Sequence, residues 1–165
     1  MKPHVVEIDW ERNGSKFTDH RYSRAHVWRF DGGAKVPGSS SPDVVRVPLS
    51  DPSAVDPEEA FVASLSSCHM LWFLDLVARD GYVVDKYADR AEGYLAKRSD
   101  GKLWLSRIVL APSVTFSGKL VPTTEAVDDL HHRAHEECFL ANAVKAEIVV
   151  QGTWTYDVLE YDGNR

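Results

Sequence analysis

From Asp56 to Gly81 the chain spells one long, broadly apolar helix, and that helix constrains everything around it. Asp56 supplies an N-cap. Pro57 stands at the first helical position, where its fixed φ is favourable and its missing N–H would have been unpaired anyway. Glu58 and Glu59 put negative charge at the positive end of the helix dipole. The helix is expected to run to about Arg79 and to stop at Asp80-Gly81. Its apolar residues Phe61, Leu65, Cys68, Trp72 and Leu76 recur at i, i+4, i+7, i+11 and i+15, and Val62, His69 and Phe73 widen the stripe. A helix this apolar must be largely buried, so the other elements have to cover it.

Those elements are mostly extended. His4 to Trp10 and Tyr22 to Phe30 are rich in Val, Ile, Trp and Tyr, and Asp31-Gly32-Gly33 is a turn signal, so both segments read as strands. Val36 to Asp43, with two prolines, a glycine and three serines, reads as a mobile surface loop, and Val44 to Leu49 as a short strand. Val83 to Lys97 and Leu103 to Phe116 are expected to be long strands joined in a hairpin through Ser99-Asp100-Gly101-Lys102. Thr123 or Thr124 with Glu125 opens a second helix through Leu130 and Ala134 towards Glu137, and Lys145 to Leu159 is again β-like. The order βββ, α, ββ, α, β predicts an α+β protein with helices packed on antiparallel sheet. At 165 residues and 44% hydrophobic content, a single domain over 1–165 is expected.

Charge and cysteine usage narrow the function. A net charge of −6 and a pI near 5.6 argue against nucleic acid as a partner, which needs a surplus of Lys and Arg on one face. Membrane anchoring is not expected either, because the longest apolar run, Met70 to Ala78, is broken by Asp75. Two cysteines and no cleavable apolar leader predict thiols kept reduced in the cytoplasm, where a disulfide would be a reaction step. No cofactor is called for.

Two constellations are able to carry chemistry. Cys68 and Cys138, in separate helix-like segments, read as a nucleophile and its partner, although a lone cysteine on an apolar stripe is also a small buried hydrophobe. Glu58 lies ten residues before Cys68, near three turns along the same side of the helix, where a carboxylate is able to anchor an arginine. The rival is a metal-binding module: His131, His135 and Cys138 fall at i, i+4 and i+7, with His132, Glu136 and Glu137 close by. That segment lacks the paired Cys-x-x-Cys or His-Glu-x-x-His spacing of a strong zinc motif.

The run Asp56-Pro57-Glu58-Glu59-Ala60-Phe61-Val62-Ala63-Ser64-Leu65-Ser66-Ser67-Cys68-His69 resembles the helix "Asn-Pro-Glu-Glu-Leu … Ala-Ala-Cys" of the OsmC/Ohr family, the osmotically inducible and organic hydroperoxide resistance proteins. The register agrees, with the glutamate ten residues before the peroxidatic cysteine. Cys138-Phe139-Leu140-Ala141-Asn142-Ala143 is similar to the family's second-cysteine segment, Cys-Pro-x-Ser-x-Ala.

The resemblance implies an intertwined homodimer with two central helices. It also implies a thiol peroxidase in which Cys68 attacks an organic hydroperoxide, or hydrogen peroxide, Cys138 resolves the sulfenic acid, and a small or protein-bound dithiol, of which a lipoyl group is one kind, returns the electrons. An arginine is expected over the thiolate, held by Glu58. Arg24, Arg29 and Arg46 are the candidates, and strand alternation selects Arg24, on the face with Tyr22, His26, Trp28 and Phe30. Phe139 in place of proline, together with His69 and Trp72, marks a divergent branch. A branch that keeps the scaffold as a small-molecule-binding protein without peroxidase activity is the alternative.

Overall fold

The computed structural model describes residues 1–158, so Leu159, the expected end of the last β-like run, lies outside it. The chain divides into two compact units, Met1–Phe61 and Val62–Arg165. The fold is α+β.

The first unit is built on a three-stranded antiparallel meander of β1 (Val6–Asp9), β2 (His26–Phe30) and β3 (Lys35–Gly38), in that order. Gly33 takes a positive φ of 89° in the β2–β3 turn, where Phe30 N–H bonds to Ala34 O at 2.9 Å. The segment expected to be a loop from Val36 thus begins as a strand. Pro37 is tolerated because β3 is an edge strand, and its carbonyl accepts from Val55 N–H at 3.0 Å. The strand expected over Val44 to Leu49 does not form. Its donors are consumed locally instead: Val44 and Val45 bond back to Ser41 O, and Leu49 to Arg46 O.

Helix α1 spans Pro57–Arg79. Asp56 Oδ1 accepts from Glu59 N–H at 2.8 Å while Glu59 Oε2 accepts from Asp56 N–H at 3.2 Å, a reciprocal capping box. At the other end Gly81, at φ 84°, lets Tyr82 N–H reach Val77 O and Gly81 N–H reach Ala78 O, the paired bonds of a Schellman stop. By length and composition α1 would be able to cross a membrane, contrary to the expectation that no segment is long and apolar enough. Core helices pass the same test. The buried seam is Val62, Leu65, His69, Phe73 and Leu76, with Val77. It is offset from the expected stripe, leaving Cys68 and Trp72 half-buried and Phe61 38% exposed.

In the second unit each expected long strand is split at one level. β4 (Val83–Asp89) and β5 (Glu92–Lys97) are separated at Arg90-Ala91, β6 (Leu103–Leu110) and β7 (Pro112–Ser117) at Ala111, and β8 (Glu147–Val150) and β9 (Thr153–Tyr156) at Gln151-Gly152. The halves sort into two sheets, β4-β7-β9 and β5-β6-β8. The Asp89 carboxylate stands at the break. It accepts Ala111 N–H at 2.7 Å and the hydroxyl of Ser66, and Pro112 brings no N–H that would need a ladder partner. The sheets are mixed rather than purely antiparallel, because β8 runs parallel to β6 and β9 parallel to β7. The β5–β6 hairpin turns where expected, with Gly101 at φ 81° and Arg98 N–H bonded to Lys102 O.

Helix α2 (Thr124–Glu137) starts on Thr123, whose hydroxyl accepts Ala126 N–H, and ends at Cys138 as C-cap. One core joins Phe73, Leu76 and Val77 of α1 with Val114 and Phe116 of β7 and Val127, Leu130 and Ala134 of α2. A second joins Val62 and Leu65 with Ile108, Leu110 and Cys138. Each of the larger apolar side chains contributes about 1.5–3 kcal/mol by leaving water.

Candidate functional site

The two cysteines meet. Cys138 Sγ lies 2.8 Å from Cys68 Sγ and donates its S–H to it; both are free thiols. A disulfide needs about 2.05 Å, so closure asks for less than an ångström of movement. Cys68 is half-buried, whereas Cys138 is fully buried. Burial, with the hydrogen bond to Cys68 second, pushes the Cys138 thiol up to about 11, so at neutral pH it holds its proton.

The C-terminus of α2 positions Cys138. Its N–H bonds Ala134 O at 3.0 Å, and its carbonyl accepts from Asn142 N–H at 3.1 Å and from the Asn142 side chain. Ala141 N–H points at its sulfur from 3.4 Å. A 3-10 turn, Ala141–Ala143, follows, so the Phe139 that replaces proline does not prevent the short helical turn. The Phe139 ring is 71% exposed and stands edge-on to Trp72 at 5.7 Å.

A second pair lies one residue from Cys68 on α1 and two turns before Cys138 on α2. His69 Nε2 and His131 Nδ1 are 3.1 Å apart, both residues are buried, and the rings meet edge to edge with planes 9° apart. Phe73 covers a face of His131 at 4.2 Å. Desolvation lowers both imidazoles to about 4, and for His69 the neighbouring His131 and His135 add to the effect while Asp89 opposes it. The pair is neutral at pH 7.

In the first unit Arg24 and Glu58 line one cavity of about 400 Å³ with Trp10, Phe17, Tyr22 and His26. Of the face chosen from alternation, Tyr22, Arg24 and His26 line the cavity while Trp28 and Phe30 do not, and the strand expected from Tyr22 begins only at His26, after Arg24. The Arg24 guanidinium donates to His20 O at 3.0 Å and to Tyr22 O, and it stacks on the Tyr22 ring at 3.8 Å. Among the described residues it makes no ion pair with Glu58. His26 accepts from Trp28 Nε1 at 2.6 Å and bonds Arg24 O at 2.8 Å, which fixes the backbone at that arginine. The other candidates are engaged differently: Arg29 pairs with Asp9 across the β1–β2 ladder, and Arg46 is exposed in the turn that ends at Leu49.

The rival metal face does not assemble among the described residues. His131 turns to His69, Cys138 to Cys68, and His132 lies 3.4 Å from Glu136. Among the described residues no group of three His, Cys, Asp or Glu side chains is placed to hold a metal. From spacing alone His69 falls on an apolar stripe and His131 on a candidate metal face, so their pairing is not read there. The available signal was a histidine on the buried stripe of each of two helices.

The OsmC-like protein family model matches residues 50–152 of the chain. Among solved structures, an OsmC-like protein of unknown function from Vibrio cholerae is 51% identical, covers 93% of this chain and 100% of its own, and superposes with a TM-score of 0.89. An organic hydroperoxide resistance protein from Elizabethkingia anophelis shares the fold at 16% identity, covering 94% and 99% of the two chains with a TM-score of 0.66. The organic hydroperoxide resistance protein of Bacillus subtilis does so at 17% identity, covering 93% and 98%, with a TM-score of 0.62. A comparison with curated proteins finds no match. The helix that carries Glu58 and Cys68, the second-cysteine segment and the family match over residues 50–152 agree: this chain belongs to the OsmC-like family.

Proposed function

We propose that the protein is a thiol-dependent peroxidase acting on organic hydroperoxides, with Cys68 as the attacking and Cys138 as the resolving cysteine. The observation that carries this reading is the 2.8 Å approach of two free thiols held by separate helices. The more accessible sulfur, Cys68, attacks the terminal peroxide oxygen as a thiolate. The O–O bond breaks, the alkoxide leaves with a proton as an alcohol, and Cys68 becomes a sulfenic acid. Cys138 then attacks the Cys68 sulfur, expelling the hydroxyl as water with the Cys138 proton and leaving a Cys68–Cys138 disulfide. A dithiol of lipoyl type returns the two electrons by thiol–disulfide exchange.

Arg24 supplies the cation that steadies the thiolate and polarises the peroxide, and Glu58 the carboxylate that orients it. No cofactor enters this cycle. The active form is a homodimer in the cytoplasm. The direct test is the loss of free thiol on adding one equivalent of cumene hydroperoxide, followed by the appearance of a Cys68–Cys138 disulfide in peptide maps; intact thiols would overturn the reading.

One observation favours a second reading, a small-molecule-binding protein without peroxidase activity. The Arg24 guanidinium is already engaged by two carbonyls and the Tyr22 ring beside an aromatic-lined cavity. The same thiol assay separates the two, since a binding protein leaves both cysteines reduced.

A further inference from the structure

The cavity of the first unit carries two opposite charges that do not meet. Arg24 and Glu58 are both half-buried and both line its volume of about 400 Å³, and among the described residues neither forms an ion pair. Arg24 spends its two Nη1 hydrogens on His20 O and Tyr22 O. Its Nε–H and its Nη2 hydrogens have no acceptor among the described residues, and that edge of a guanidinium is a fork able to hold a carboxylate by two parallel bonds. The Glu58 carboxylate has no donor there either. Beside these charges lie Trp10, Phe17 and Tyr22, whose ring centroids stand 4.6, 5.5 and 5.9 Å apart. Although they pack on one another, Trp10 and Phe17 keep 38% and 48% of their surface open, so a ligand is able to reach them.

We propose that this cavity binds an aromatic α-amino acid, its carboxylate on the free edge of Arg24, its ammonium on Glu58 and its ring against Trp10 and Phe17. Charge decides among the ligand classes. A lone anion would satisfy Arg24 but meet Glu58, and a lone cation the reverse. An uncharged molecule would strip water from two half-buried charges and give neither a partner. A zwitterion pairs both. Open aromatic side chains favour a ring over an aliphatic chain, through offset or edge-on contact. The volume of about 400 Å³ lies within the roughly 300–1,000 Å³ usual for small-molecule sites. This ligand rests on the binding-protein reading of the cavity. All of these residues lie within Met1–Phe61, so binding needs nothing from the thiols.

The test is a titration of phenylalanine into the full-length ¹⁵N-labelled protein at pH 7.5, read at the Trp10 indole N–H. Two matched probes accompany it: 3-phenylpropanoate, which lacks the ammonium, and 2-phenylethylamine, which lacks the carboxylate. The expected result is a saturable shift at Trp10, with each single-charge probe bound about ten-fold weaker or more, as the loss of one hydrogen-bonded charge would give. Arg24→Met should erase the advantage over 2-phenylethylamine, and Glu58→Met the advantage over 3-phenylpropanoate. No saturable shift at Trp10, a single-charge probe that binds as well as phenylalanine, or a variant that keeps the full preference would each overturn the site. If a variant does not fold, the three titrations of the parent protein decide alone. Thiol oxidation by cumene hydroperoxide is read on a separate sample, so failure of the binding-protein reading is told apart from failure of the ligand.

Discussion

His131 Nδ1 sits 3.1 Å from His69 Nε2, and this bond ties α2 to α1 inside the protein. Its consequence is acid sensitivity. Both histidines are lowered from 6.5 to about 4, so between those values the unfolded chain binds protons that the folded chain refuses. Stability is therefore fully present above pH 6.5 and is lost as the pH falls towards 4, by about 2 kcal/mol per histidine at pH 5. Asp51, Asp80 and Glu125, held below their usual values, add losses only at still lower pH. Urea midpoints should drop between pH 7.5 and pH 5, and His131→Phe should flatten part of that slope. Equal midpoints at the two pH values would show that the pair does not titrate this way.

The cysteines should divide the reaction between them. Cys68→Ser is expected to abolish peroxide consumption while leaving the fold intact. Cys138→Ser should permit one oxidation and then accumulate Cys68 sulfenic acid, which over-oxidises at high peroxide. Mass spectrometry after one equivalent of cumene hydroperoxide distinguishes these states, and parent-like turnover in Cys68→Ser would remove the nucleophile assignment.

Arg24 and Glu58 line one cavity without an ion pair in this structure, so their roles separate by kinetics. Arg24→Met is expected to slow peroxide reduction by about 100-fold, the usual cost of losing one preorganised charge-stabilising group. If Glu58 acts by orienting Arg24, then Glu58→Gln slows the reaction too and the double variant is little worse than either single. Arg29→Met, which loses a solvent-exposed pair with Asp9, should change stability by less than about 1 kcal/mol and leave the rate alone. A defect in Arg29→Met or Arg46→Met instead would reassign the arginine.

Asp89 accepts both Ala111 N–H and the Ser66 hydroxyl at the level where the strands change sheet. Asp89→Ala removes the acceptor of a water-accessible amide and of a part-buried hydroxyl and should cost about 1 kcal/mol. Thermal unfolding of this variant at pH 7.5 is the measurement, and an unchanged midpoint would mean that the break is held by other contacts.

Self-association is expected from apolar surface in the second unit. Leu71, Leu95, Trp104 and Phe139 are all exposed on it. A chain of 18.5 kDa should then scatter light as a species of twice that mass, stable on dilution; a monomer with intact secondary structure would contradict the dimer.

Much of this protein is written locally. The capping box at Asp56 and Glu59, the glycine stop at Gly81 and the Asp100-Gly101 hairpin depend on residues within a few positions of one another, so the sequence alone specifies them. The family motif around Glu58 and Cys68 is equally local. The buried face of α1 is not, because a helix with apolar residues on most of its circumference satisfies the 3.6-residue period in several rotations. Only packing against Ile108, Val114 and Phe116 selects the seam through His69 and Phe73 and leaves Cys68 half-buried. The sheet change at Asp89, Ala111 and Gly152 was illegible for a similar reason, since the hydrogen bond that marks it joins residues 22 apart, one in each of two hairpin arms that both read as unbroken strand. The meeting of Cys68 with Cys138, and of His69 with His131, was decided by the docking of two helices, which no spacing along one chain segment encodes.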